Sequence, residues 1–104
     1  MTDLKETVYL MIDPDYKKRF VAEYWQTRIR QEKLRNFCDK IEAAEIMRGC
    51  GKHIPCPAHD CTLELLRKQQ RLMGELCGVY QLRAIIEGID LDMPIESNDT
   101  VFEH

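Results

Sequence analysis

Long hydrophobic runs are missing from this sequence. No stretch of about eighteen consecutive apolar residues occurs, the length that would indicate a membrane-spanning helix. The N-terminus also lacks a basic segment followed by an apolar one, which a secretion signal would require. We therefore expect a soluble, cytoplasmic protein with no membrane partner.

Motifs of common enzymes are missing as well. The chain has no Walker loop, GxGxxG fingerprint, HExxH motif or nucleophile elbow, and no paired-carboxylate signature. Glycine and proline are scarce, and Gly49, Gly51, Pro55 and Pro57 fall within one segment. We predict that the protein is not an enzyme and that this segment is the main break in a helical chain.

A first helix is predicted over residues 14–48. Asp13 is the expected N-cap, Pro14 fits the first helical position, and Gly49 and Gly51 end the pattern. The apolar seam recurs at alternating steps of three and four residues, which is the helical period. Its members are Tyr16, Phe20, Tyr24, Thr27, Gln31, Leu34, Cys38, Ile41 and Glu45.

A second helix is predicted over residues 61–87, with Asp60 as the N-cap and Gly88 beyond its end. It carries two neighbouring stripes, which together are broader than one partner helix can cover. The first stripe is Leu66, Gln69, Met73, Leu76, Tyr80 and Arg83, and the second is Leu65, Leu72, Val79 and Ile86. The predicted fold class is therefore all-α, an antiparallel two-helix hairpin that assembles into a homo-oligomer.

The ends of the chain are predicted to be extended. Residues 1–12 form a short N-terminal arm, residues 13–91 form the hairpin domain, and residues 92–104 form an acidic tail. From Glu87 onward there are six acidic residues and no basic one. We expect the apolar strip 89–95 to fold back onto the hairpin.

The loop between the helices concentrates potential metal ligands. Thiolates and imidazoles are the side chains that zinc prefers, and two of the spacings match zinc knuckles. The usual long spacer between the two pairs is absent, so the alternative is an ordinary loop without metal. The candidate zinc ligands are Cys50, His53, Cys56, His59 and Cys61.

An antiparallel hairpin brings the start of the first helix to the end of the second. Arginine forks and tyrosines at that end suit a phosphate-bearing or planar aromatic ligand. The alternative is that these residues fix the register of the helices, through pairs such as Arg19–Glu87 and Glu23–Arg83. The candidate ligand-binding residues are Tyr16, Arg19, Tyr24, Tyr80 and Arg83.

Basic residues are concentrated early in the chain. Seven lie between Tyr16 and Arg35, against two acidic ones. A solvated helix face is the simpler interpretation. Nucleic-acid binding is a weaker alternative that we do not expect.

Two segments resemble an uncharacterised family of small helical proteins from tailed phages and prophages of gut bacteria, including crAss-like phages. They are YKKRFVAEYWQTRIRQEKLRNF (16–37) and CTLELLRKQQRLMGELCGVYQLRAIIEGIDL (61–91). The matching positions are Tyr16, Arg19, Glu23, Tyr24, Leu34, Phe37, Cys61, Leu65, Leu66, Gln69, Met73, Arg83, Ala84, Glu87, Gly88 and Ile89. Departures are Thr62, where proline is common, Cys77, and the longer His/Cys loop.

The resemblance implies a phage protein in the host bacterial cytoplasm and brings no established activity. Small non-enzymatic phage proteins often act on the host, so we expect a module that binds or sequesters a component of a host defence system. The partner would be a phosphate-bearing nucleotide signal or a host protein. The alternative is a structural protein of phage development, zinc-stapled and without a small ligand.

Overall fold

The computed structural model describes residues 4–92, which contain only helices, turns and loops, with no β-strand. A 3-10 helix, Leu4–Thr7, leads directly into α1, Val8–Met11. Two long helices follow, α2 over Tyr16–Gly49 and α3 over Leu63–Glu87. The all-α prediction is confirmed. None of the helices in the described part of the chain is long and apolar enough to cross a membrane.

The N-terminal arm is helical, so the prediction of an extended arm over its described residues is wrong. The Thr7 hydroxyl donates to the Leu4 carbonyl oxygen at 2.7 Å and accepts from Gln26 Nε2 at 2.9 Å. These bonds close the turn locally and fasten it to α2, and Leu10 enters the core. Residues 1–3 of the arm and 93–104 of the predicted tail lie outside the described residues.

Both long helices begin two residues later than predicted, because a different side chain caps each. The carboxylate of Asp15 accepts from Lys17 N at 2.9 Å, whereas Asp13 forms a turn ahead of the helix by accepting from Asp15 N. At α3 the cap is Thr62, whose hydroxyl accepts from Leu65 N at 3.1 Å. Asp13 and Asp60 are therefore not the N-caps.

Helix α3 ends at Glu87, the residue at which the second helix was predicted to end. Gly88 has a φ of 70°, in the left-handed region that glycine reaches without strain. The turn directs the following residues back onto the helices, and Ile89 is buried there. This part of the predicted fold-back strip is confirmed; residues 93–95 lie outside the described range.

Helices α2 and α3 pack against each other and run antiparallel. At one end, here called the open end, Tyr16 of α2 contacts Glu87 of α3. At the other, Arg67 of α3 donates to Asp39 at 2.8 Å and to Glu42 at 2.5 Å. Midway, a Cβ added at Gly74 would lie 2.8 Å from Gln31 Nε2, so the absence of a side chain there gives Gln31 its place.

The bulky part of the core lies at the open end. Its buried members are Leu10, Phe20, Val21, Ala22, Ala84 and Ile89, with Trp25, Tyr80 and Leu91 packed against them. Toward the loop, the buried side chains of α2 are Cys38, Ile41 and Ala44. The large side chains that hold the structure together therefore surround the predicted ligand site.

Only part of the apolar face of α3 is covered. Its buried residues are Cys77 and Ala84, with partly buried neighbours such as Met73 and Tyr80. The second stripe is exposed, from 48% at Leu72 to 81% at Ile86. We call Leu65, Leu72, Leu76, Val79 and Ile86 the exposed row.

Candidate functional site

At the open end, two side chains donate hydrogen bonds to the carboxylate of a third. Tyr16 Oη donates to Glu87 Oε1 at 3.0 Å, and Arg83 Nε donates to Glu87 Oε2 at 2.7 Å. These two hydrogen bonds, with Arg83 the larger cause, hold the pKa of Glu87 below its ordinary value. In return, the bond to Glu87 raises the pKa of Tyr16. We call Tyr16, Arg83 and Glu87 the carboxylate cluster.

An aromatic ring supports the guanidinium of this cluster. The Arg83 Cζ atom lies 4.7 Å from the centroid of the Phe20 ring, within cation–π range. Phe20 is buried and meets Tyr80 edge-on, with ring centroids 5.2 Å apart. The arginine is thus held against a fixed surface while about half of its side chain faces solvent. Lys17 adds positive charge that also lowers the pKa of Glu87.

Tyr24 is buried and Tyr80 is partly buried. Tyr24 is only 2% exposed, and its hydroxyl accepts from Arg28 Nη1 at 2.9 Å and from Gln81 Nε2 at 3.1 Å. Burial is the main cause that raises the pKa of Tyr80. Both tyrosines support the site from within, and the accessible members of the predicted set are Tyr16, Arg19 and Arg83.

Arg19 does not pair with Glu87. Its Nη1 atom donates to the carbonyl oxygens of Asp13 at 2.8 Å and of Pro14 at 2.9 Å. The reason is local, because the turn before α2 presents two free carbonyls to a guanidinium only one helical turn away. Glu87 instead accepts from Arg83 and Tyr16, so the Arg19–Glu87 pair suggested under the register alternative does not form. Glu23 acts on the Arg83 pKa by its charge, after the larger effect of Glu87.

The sequence does not predict the contacts that two aromatic residues make near the carboxylate cluster. Phe20 is a member of the predicted seam, and its ring also stacks under the guanidinium of Arg83. Trp25 Nε1 donates to the Leu91 carbonyl at 2.6 Å, and Arg28 stacks on the Trp25 ring with Cζ 5.0 Å from its centroid. The spacing from Trp25 to Arg28 was a usable signal for the second contact, since residues three apart share a helix face. Nothing in the sequence indicated the bond to Leu91.

The five predicted zinc ligands are all exposed and lie in the loop between α2 and α3. Within residues 4–92, no three His, Cys, Asp or Glu side chains are grouped to hold a metal ion. His59 Nδ1 lies 2.9 Å from the Pro57 carbonyl, which can only accept. A hydrogen bond at this contact places a proton on Nδ1, which leaves Nε2 as the ring nitrogen on the side available to a metal ion. The zinc site stays a prediction.

The cysteines divide into two classes, and thiol labelling distinguishes them. Cys38 and Cys77 are buried, and burial raises the pKa of both thiols, whereas Cys50, Cys56 and Cys61 are exposed. Because the thiolate is the reactive form, we expect three thiols to react rapidly with iodoacetamide in the folded protein and all five in denaturant. Intact mass would count the adducts. Rapid labelling of Cys38 or Cys77 in the native state would contradict the packing described above.

The open end presents a guanidinium and a phenol on an aromatic base, an arrangement of hydrogen-bond donors suited to binding an oxyanion. Residues 14–86 match the family model for Sequestin, and since this is well over half of the chain, the chain belongs to the Sequestin family. The family name denotes sequestration, which is binding rather than catalysis. No curated protein and no solved structure matches the chain.

Proposed function

We propose that this protein is a phage accessory protein that binds and sequesters a component of a host defence system in the bacterial cytoplasm. A phosphate-bearing nucleotide signal is the first candidate ligand, and a host protein the second. The observation that carries the nucleotide version is the half-exposed Arg83, stacked on Phe20 beside the Tyr16 hydroxyl. The Sequestin family name supports the sequestering role.

The chemistry of the cluster fits such a ligand. A guanidinium has several N–H donors in one plane, and their geometry matches that of phosphate oxygens. The cation–π contact with Phe20 holds the Arg83 guanidinium in one orientation before a ligand binds. Tyr16 adds a hydroxyl donor from the other helix, and Lys17 contributes positive charge. Capture without turnover requires only such donors.

Thermal unfolding with a nucleotide panel tests this proposal. A ligand at about one hundred times its Kd stabilises the folded state by about 2.7 kcal/mol. For a domain of this size we expect a rise in Tm of roughly 10 °C with a cyclic or ADP-ribose-derived nucleotide. Arg83→Gln should abolish the rise, whereas Arg71→Gln, which removes an exposed arginine of α3 elsewhere, should preserve it. No shift with any nucleotide would exclude the nucleotide version and leave protein capture.

Self-association belongs to the same proposal. The exposed row extends about 32 Å along α3, and at one helix width it forms an apolar strip of roughly 300 Å². Patches of about this size are the largest that monomeric proteins commonly expose, and they are often functional. Leu65, Leu72, Val79 and Ile86 recur every seven residues, the spacing of a coiled-coil seam. A second copy presents the same spacing, so we propose a second α3 as the occupant.

The row also bears on the ligand site. Arg83 lies four residues after Val79 and three before Ile86, so it shares their side of α3. A second subunit seated on the row would approach Arg83 and add its own side chains near it. Oligomer symmetry would then repeat the cluster, which supports the idea of a shared pocket.

The exposed row and the cysteine-rich loop also favour a second candidate, a structural protein of phage development that is stapled by zinc. Native mass spectrometry distinguishes it. A zinc-bound subunit would carry roughly 65 Da of added mass that a chelator removes. In addition, zinc would slow alkylation of Cys50, Cys56 and Cys61. Unchanged mass and unchanged labelling after incubation with zinc would exclude the metal.

A further inference from the structure

We infer that the Glu87 carboxylate occupies the place of a ligand phosphate, so that Glu87 acts as a built-in competitor for anions at the open end. The inference rests on the proposed function and concerns which residue sets the affinity of that site. It starts from the arrangement of donors. Tyr16, Arg83 and the charge of Lys17 all converge on one carboxylate, although they come from two different helices.

The Glu87 contacts differ from an ordinary surface ion pair. Arg71 and Glu75 have the same spacing on the same helix, but their charged groups are separated by 3.7 Å. Arg83 and Glu87 approach to 2.7 Å, Tyr16 adds a second hydrogen bond across the helices, and Phe20 lies under the guanidinium. The Glu87 side chain is also the less exposed of the two glutamates, at 25% against 66%.

A phosphate can accept hydrogen bonds from the same donors as this carboxylate. Both are planar or tetrahedral oxyanions that accept from an arginine fork and a hydroxyl. A phosphate can accept from the Tyr16 hydroxyl and from Arg83 Nε only if Glu87 turns away, because Glu87 already accepts from both donors. The displaced carboxylate then remains as a negative charge nearby. Glu87 therefore lowers the affinity of the open end for weakly charged anions. It favours ligands that also contact residues outside the carboxylate cluster.

Glu87→Gln tests the inference, because it keeps the shape of the side chain and removes its charge. Inorganic pyrophosphate is the probe, titrated by isothermal calorimetry at fixed ionic strength. Two unit charges about 4 Å apart repel by about 1 kcal/mol even in water, which corresponds to roughly fivefold in affinity. We expect E87Q to bind pyrophosphate at least about fivefold more tightly than the natural chain.

Glu75→Gln is the matched control, since it changes the net charge equally and leaves the carboxylate cluster intact. It should bind pyrophosphate as the natural chain does, and adding Arg83→Gln to E87Q should remove the gain. Circular dichroism verifies that each variant is folded. Equal affinities for E87Q and E75Q would overturn the inference.

The outcome is separable from that of the nucleotide panel. If a nucleotide stabilises the natural chain and E87Q gains nothing, the proposed function stands and the competitor role falls. If no nucleotide binds any variant but E87Q gains pyrophosphate affinity in an Arg83-dependent way, the competitor role stands and the nucleotide proposal falls.

Discussion

Replacing Ile41 by alanine is expected to lower the free energy of unfolding by about 2–5 kcal/mol. Ile41 is fully buried, at 0% exposure, and lies where α2 faces the first half of α3. Its neighbours in the core of this region are the small side chains Cys38 and Ala44, which cannot fill the cavity left behind. Chemical denaturation at one fixed protein concentration would measure the loss.

Ile46→Ala is the matched control for this stability prediction. It removes the same atoms from the same helix, but Ile46 is 59% exposed. Its cost should stay within about 0.5 kcal/mol. Similar losses for the two variants would contradict the burial that distinguishes these positions.

Placing lysine at both Leu72 and Val79 is expected to abolish self-association. Both side chains belong to the exposed row and lie seven residues apart, so two charges would enter each copy of the proposed seam. Sedimentation velocity over a micromolar concentration range should then show a subunit of 12.3 kDa at every concentration. The natural chain should sediment as a multiple of that mass.

A double lysine variant at Ile46 and Ile54 controls for charge and for lost apolar surface. Both side chains are exposed, and neither belongs to α3. This variant should associate as the natural chain does. A natural chain that remains monomeric throughout the range would refute the proposed second copy on the row.

Much of the fold follows from the helical period and its stop signals. Phe20, Tyr24, Cys38 and Ile41 of the predicted first seam are buried, and Gly88 ends α3 in the conformation that glycine favours. The start of each helix was harder to predict. Asp13 and Asp15, like Asp60 and Thr62, are competing caps two residues apart, and sequence alone does not tell which oxygen meets the free N–H groups.

The N-terminal helical turns could not be predicted for a different reason. The run of β-formers in residues 8–12 favours extended backbone. The turns are fastened to α2 by tertiary contacts, including the bond from Gln26 to Thr7 and the burial of Leu10. Contacts of this kind override weak local preference, and a pattern within twelve residues does not reveal them.

The sequence predicted which residues share the open end more accurately than it predicted their contacts. Tyr16 and Arg83 do meet at the open end, as the antiparallel arrangement required. The partners within that region depend on side-chain conformers. Glu87 is within reach of Arg83 on its own helix, whereas Arg19 satisfies its donors on nearby carbonyls.

The bonds from Tyr16 to Glu87 and from Trp25 to Leu91 join residues 71 and 66 positions apart. Forming them closes the largest chain loops in the hairpin, which carries the greatest entropic cost. The bulkiest apolar side chains lie at this same end, where their burial offsets that cost. In folding, helix pairing that starts near the 50–62 connection would reach these bonds last, so formation of the carboxylate cluster during refolding reports that α2 and α3 have paired along their full length.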